Sequence, residues 1–251
     1  MGAELIILHV HHLLRASFWS ESEYELYLRK HAENTMEELQ PFVKRIYKDL
    51  SYTPGKHRIA LHRHFDVTAG IIEFATDNNC SYIVTTSRGS GAVAKLLGTN
   101  ASALIRQSPL PVITVPFNYR THAVTKILYA SDMLNYDKEL PSLVELAKPL
   151  EASIELLHFR YSYEPEIEPH LMEQNLQRRL NYPVHMVYRQ RNTDRPVLED
   201  IEHYIATSKP SLLVLFTHQD RGFFERLLTP GNARSYVSHP EVPLLSFRKE
   251  E

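Results

Sequence analysis

The sequence predicts two tandem α/β domains, each a doubly wound parallel sheet of the Rossmann-like kind, with the first lacking its first strand and helix. Three observations carry this. Apolar runs of four to eight residues alternate with helical stretches, the pattern of parallel strands covered on both faces. The chain repeats itself once. One strand and helix of the second copy have no counterpart in the first.

The repeat rests on three pairs of segments. Ala3-Glu4-Leu5-Ile6-Ile7-Leu8-His9-Val10 resembles Ala152-Ser153-Ile154-Glu155-Leu156-Leu157-His158-Phe159. Ala75 through Val84 resembles Ala206 through Val214, each a helix end, a turn and an apolar strand. Pro109-Leu110-Pro111-Val112-Ile113 matches Glu241-Val242-Pro243-Leu244-Leu245. The order of elements is therefore shared, and 251 residues accommodate two domains, 1–119 and 120–251.

In the first copy, strands are predicted near 4–10, 57–63, 81–86 and 111–115, with helices near 21–48, 67–78 and 99–107. The long helix opens on Ser20-Glu21-Ser22-Glu23, a capping box. Met36, Leu39, Val43, Ile46 and Leu50 follow at helical spacing, and Pro41 is expected to kink or split that helix. Asp66 reads as the cap of the next helix, and Asp194 as its equivalent in the second copy. The second copy has strands near 126–131, 153–159, 185–190, 211–216 and 243–247. Its helices fall near 137–150, 170–180, 196–207 and 232–239.

Composition narrows the function classes. Hydrophobic residues are 43% and charged residues 23%, enough for a packed core. Lys+Arg is 28 against Asp+Glu 30, a net charge of -2, which argues against nucleic acid as a partner. The single cysteine, Cys80, excludes an intrachain disulfide and a multi-cysteine zinc site and fits a reducing cytosol. Met1 to Leu14 does not read as a signal peptide. The apolar run Leu212 to Phe216 is far short of the ~18 residues of a membrane span. A cytoplasmic protein without a membrane partner is expected.

Glycines cluster in two related places. Tyr82 to Thr86 runs into Ser87-Arg88-Gly89-Ser90-Gly91-Ala92-Val93-Ala94-Lys95-Leu96-Leu97-Gly98-Thr99-Asn100. The second copy has Thr217 through Gly222, then Gly231-Asn232. Such loops let backbone approach a ligand, and a following helix N-terminus offers free N–H groups to phosphate. The same glycines also read as plain turn residues. Gly89-x-Gly91-x-x-Ala94 lacks the acidic residue that a dinucleotide fingerprint needs about 20 positions on, and no P-loop occurs.

These segments resemble the universal stress protein family in its tandem form. Gly89 through Asn100 looks like the family's ATP-binding signature, and the segments 108–115 and 239–246 look like its last helix and edge strand. Ile127-Leu128-Tyr129-Ala130-Ser131-Asp132 looks like its first strand, whose closing Asp approaches adenine. The resemblance implies a non-enzymatic stress-response module that senses nucleotide or binds protein, with ATP as the candidate ligand. Its candidate binding residues are Thr86, Gly89, Gly98, Thr99 and Asn100 in the first copy, and Asp132, Gly222, Gly231 and Asn232 in the second. Both copies depart from the signature: Thr86 and Thr217 stand where its first Gly is expected, and Asn232 replaces its Ser or Thr. The first copy also has no equivalent of Asp132. Alternative readings are a structural dimerisation module without nucleotide and a nucleotide-alpha-hydrolase-type enzyme, for which no catalytic motif is found.

His9 and His11 share one strand face, as do His62 and His64, so four imidazoles could meet if the strands are neighbours. The spacing supports no metal site, and histidines lining the sheet's carboxyl edge are expected. The glycine loops should lie at the carboxyl ends of the sheets. The strands near 111–115 and 243–247 should pair with each other or across a homodimer. Without a central first strand, the first domain should close its second strand on its fourth, borrow a strand, or be unstable alone. The chain is expected to be shortened at its start, so that an added upstream strand and helix would raise both melting temperature and ATP affinity.

Overall fold

The computed structural model describes residues 3–50, 55–87, 99–117, 119–166, 168–195, 197–217 and 242–249. The chain divides into two compact units, Met1–Asn79 and Cys80–Glu251. The repeat boundary at 119/120 thus falls inside the second unit.

The first unit holds β1 (Leu5–His11), α1 (Glu21–Asp49), β2 (His57–Arg63) and α2 (Val67–Asp77). The capping box forms: Glu23 N–H donates to Ser20 Oγ at 3.3 Å, and Ser20 N–H donates to Glu23 Oε2 at 2.8 Å. Asp66 caps α2 by accepting from Ala69 N–H at 2.7 Å. Pro41 neither kinks α1 into two helices nor ends it. Proline removes the bond to the carbonyl of Glu37, but both residues lie on the exposed face, where water takes that carbonyl.

β1 and β2 form a two-stranded parallel sheet in the register Leu5↔His57 through His11↔Arg63. Residues paired in this way point to the same face. His9 and His11 therefore share a face with Leu61 and Arg63, whereas Val10 and His62 share the other. The strands are neighbours, yet the four imidazoles do not converge, because the register is offset by one residue. α2 covers the Val10 face so closely that a Cβ on Gly70 would lie 2.6 Å from His64 Cβ and 3.0 Å from Val10 Cγ1.

The second unit contains β3 (Ile83–Ser87), α3 (Thr99–Gln107), β4 (Val112–Pro116), β5 (Lys126–Ala130), α4 (Tyr136–Ala147), β6 (Ser153–Arg160), α5 (Pro169–Leu180), β7 (Val184–Gln190), α6 (Val197–Ser208), β8 (Leu212–Thr217) and β9 (Leu244–Arg248). A 3-10 turn, Lys148–Leu150, extends α4. α6 begins at Val197, so Asp194 stands in the preceding turn and is not its cap. The helix predicted at 232–239 lies outside the described residues.

Seven strands make one sheet in the order β3-β4-β9-β8-β5-β6-β7. β5 is central to its repeat and pairs in parallel with β6 and β8. The repeats join where β4 and β9 pair antiparallel, Val112↔Ser246, Ile113↔Leu245 and Thr114↔Leu244. The two terminal apolar strands thus cover each other within one chain. The expected direct closure of the first repeat does not occur: β1 pairs with β2, β3 pairs with β4, and the two pairs belong to different sheets. β1 is partly exposed along its length, so water can serve the backbone groups of its free edge.

A core of the second unit lies on one face of β5, β6, β8 and β9, where the register partners Ile127, Tyr129, Ile154, Leu156, Val214 and Leu245 are all fully buried. Leu245 belongs to both this core and the joint between repeats. Leu245→Ala should lower unfolding free energy by about 2–5 kcal/mol through lost burial and a residual cavity. Denaturant melts of the two proteins check this, and a loss under about 1 kcal/mol would show that the joint is not part of the cooperative core.

Candidate functional site

Parallel sheets bind ligands beyond the carboxyl ends of their strands, at the point where connections leave in opposite directions. In the second unit that point is between β5 and β8, because β6 and β7 continue on one side of β5 and β8 and β9 on the other. Asp132 stands two residues past the end of β5. Lys249 follows β9 and is fixed there by its N–H, which donates to the carbonyl of Thr217 at 2.9 Å.

These two residues meet. Lys249 Nζ donates to Asp132 Oδ2 at 2.6 Å and lies 3.5 Å from Glu139 Oε1. The Lys249 side chain is 2% exposed and that of Asp132 is 17%. Asp132 Oδ1 is also engaged, accepting from Leu134 N–H at 3.0 Å. Both carboxylate oxygens therefore already have partners from the chain itself.

The network continues beneath the site. Tyr129 donates its hydroxyl to Glu139 Oε2, and Ser131 Oγ donates to the Tyr129 oxygen at 2.9 Å. Glu139 Oε1 makes no hydrogen bond of its own. Burial pushes the Glu139 carboxyl above the usual glutamate range, against the opposing pull of the Tyr129 hydrogen bond and the Lys249 charge. Burial and the adjacent Glu139 likewise push the Tyr129 phenol upward. One buried ammonium thus faces one partly solvated carboxylate and one carboxyl inclined to keep its proton.

His158, at the end of β6, ties a loop to this edge. Its Nδ1 lies 3.0 Å from the Ser131 carbonyl and its Nε2 lies 2.9 Å from Glu164 Oε2. Thr217 ends β8, buried, with its hydroxyl 3.3 Å from the Phe247 carbonyl. No nucleophile is paired with a base here, and no group of metal-ligating side chains occurs among the described residues.

Of the residues named from sequence, Asp132 is at this edge. Thr86 is exposed near the end of β3, and Thr99 and Asn100 open α3. Gly89, Gly98, Gly222, Gly231 and Asn232 lie outside the described residues. Sequence reasoning missed Lys249, Glu139 and Glu164. Lys249 sits in the run Arg248-Lys249-Glu250-Glu251, which reads as a solvated end. The one available signal was the repeated Leu-His pair, which marks His158.

Residues 1–116 match the model of the universal stress protein family. Universal stress proteins of Mycobacterium bovis and Mycobacterium tuberculosis are 30% identical over 105 residues, 41% of this chain. The match spans about a third, 34%, of each relative's length. Among solved structures, a universal stress protein from Archaeoglobus fulgidus is similar with a TM-score of 0.64 at 17% identity, covering 98% of this chain and 86% of that one. A functionally unknown protein from Pseudomonas aeruginosa gives a TM-score of 0.54 at 14% identity, covering 98% and 92%. These structural likenesses speak for the fold. Residues 1–116 are thus similar to the universal stress protein family, and the fold of the chain is like that of a solved universal stress protein.

Proposed function

We propose that this stress-response protein works as a protein-interaction module whose second repeat binds no nucleotide, because Lys249 occupies Asp132. An ammonium already bonded at 2.6 Å must be displaced before an adenine amine could use that carboxylate. Displacing it would leave the buried ammonium with only Glu139, 3.5 Å away, beside it, a cost of several kcal/mol. The interaction half of the reading is supported by β1 and β3, each of which pairs with a single strand among the described residues. Val84 of β3 is 62% exposed, and such strands accept an added strand through main-chain hydrogen bonds.

A second reading concerns the first repeat. α3 begins at Thr99, directly after Gly98, so its first N–H groups are available to a phosphate. ATP, if held by this chain, is held there, on the phosphate side, through Gly89, Gly98, Thr99 and Asn100.

Calorimetric titration with ATP separates the repeats. Asp132→Ala should leave the ATP response of the wild-type chain unchanged. A response present in the wild type and abolished by Asp132→Ala would overturn the proposal.

The electrostatics give a second expectation. Lys249→Met should destabilise the fold by about 3 kcal/mol or more, since it leaves Asp132 and Glu139 without their cation. Glu139→Gln should be far milder. A raised carboxyl pKa in the folded state means that the contribution of Glu139 is present in full at acid pH and is lost as pH rises through the folded value. The stability of wild type relative to Glu139→Gln should therefore fall as pH rises above the ordinary glutamate value of 4.5 in thermal melts. A rise over that range would show that Glu139 is held ionised.

A further inference from the structure

The first unit carries a cluster of cations-in-waiting that the stress-response reading does not use. On the α1 face of the β1–β2 sheet, the His9 and His11 rings stack with centroids 6.0 Å apart. His31 of α1 meets His11 at 5.2 Å. Arg63 of β2, in register with His11, points to the same face and reaches the Tyr24 ring of α1 at 6.0 Å. His11 Nδ1 is buried with no hydrogen-bond partner.

Among the described residues, no carboxylate pairs with this group. One helical turn either side of His31 stand Tyr27, Leu28, Asn34 and Thr35. His31 Nδ1 is 3.3 Å from the Thr35 hydroxyl. Glu38 is two turns further on, roughly 10 Å along the axis. Glu21 in the first turn is bound to Arg15 at 2.5 Å. Glu73 of α2 lies on the opposite face of the sheet, 3.4 Å from His62 and 3.8 Å from His64.

We propose that this face is an acid-sensitive latch: protonation of His11, which stacks on His9 and meets His31 beside Arg63, releases α1 from the β1–β2 sheet. Packed, the His11 ring is held toward its neutral form. Protonated, it sets a positive charge beside the Arg63 guanidinium and two further imidazoles, with no carboxylate among the described residues paired to it. Like charges in a partly desolvated contact oppose it. The His62–His64 pair lies on the other face, beside Glu73.

The direction follows from His11. Burial, then His31, His9, Arg63 and His62, hold its pKa below the ordinary histidine value. A histidine depressed in the packed state binds its proton more readily once α1 has lifted. The stability it lends is therefore complete above about pH 6.5 and is lost as pH falls below that value. With His11 held toward its neutral form when packed, the lifted population rises as pH falls from 7.5 to 5.5, by at most about tenfold.

The full chain supplies its own reporter. Trp19, the sole tryptophan, packs on Tyr27 at 4.8 Å, and Tyr27 in turn lies 6.2 Å from His31. Hydrogen exchange of 21–49, corrected for the intrinsic pH dependence, should speed up severalfold, by at most about tenfold, from pH 7.5 to 5.5. Exchange of 136–147 in the second unit should hold steady, and Trp19 emission should change with the same midpoint as α1. His11→Gln with His31→Gln should remove most of the acid effect. If the double variant is unfolded at pH 7.5, His31→Gln alone, on a helix surface that tolerates glutamine, decides. Unchanged exchange of α1 in acid, or an acid effect that survives these substitutions, would overturn the latch.

Discussion

A buried parallel strand must satisfy the backbone groups on both of its edges, and the architecture follows from where this chain can do so. In the second repeat β5 lies between β6 and β8 and completes two ladders at once. Around it a sheet can be covered by helices and kept free of water. Within the residues given, the first repeat has no strand equivalent to β5. Its four strands accordingly divide: β1 and β2 remain a pair, while β3 and β4 continue the sheet of the second repeat. The contrast in burial is consistent with this. β8 is buried throughout, whereas its counterpart β3 exposes Val84 by 62%.

The junction that makes this division possible is the antiparallel pairing of β4 and β9. An apolar terminal strand left uncovered invites association with another chain. Here each repeat ends in such a strand, and the two end strands meet. A device that could join two copies of a protein is thus used inside one chain. The compact units consequently do not coincide with the repeats, and a boundary drawn from sequence similarity differs from one drawn from packing.

The same economy of partners governs the carboxyl edge of the second repeat. Glu139 and Tyr129 are buried side by side, and Asp132 is nearly so. Two neighbouring carboxyl groups in such a place need a cation or a proton. Lys249 provides the first, and burial of Glu139 favours the second. The resemblance to a nucleotide-binding family therefore extends to Asp132 but not to its freedom. A motif residue can keep its position in the fold while its hydrogen-bonding capacity is taken up by the chain itself.

The sequence alone determined the order of strands and helices, since apolar runs, the Ser20–Glu23 box and the Asp66 cap are local and act within a few residues. The resemblance between the two halves of the chain is likewise read from local segments such as Ala3–Val10 and Ala152–Phe159. The sequence carried the family resemblance through the segment from Gly89 to Asn100 and through Ile127 to Asp132. Tertiary structure alone decided what those elements pair with. The register of β1 on β2 separates His9 and His11 from His62 and His64, and a shift of one residue would have brought them to one face. Lys249 reaches Asp132 across 117 positions of sequence. Such pairings depend on backbone register and on the closing of long loops, which no local pattern encodes.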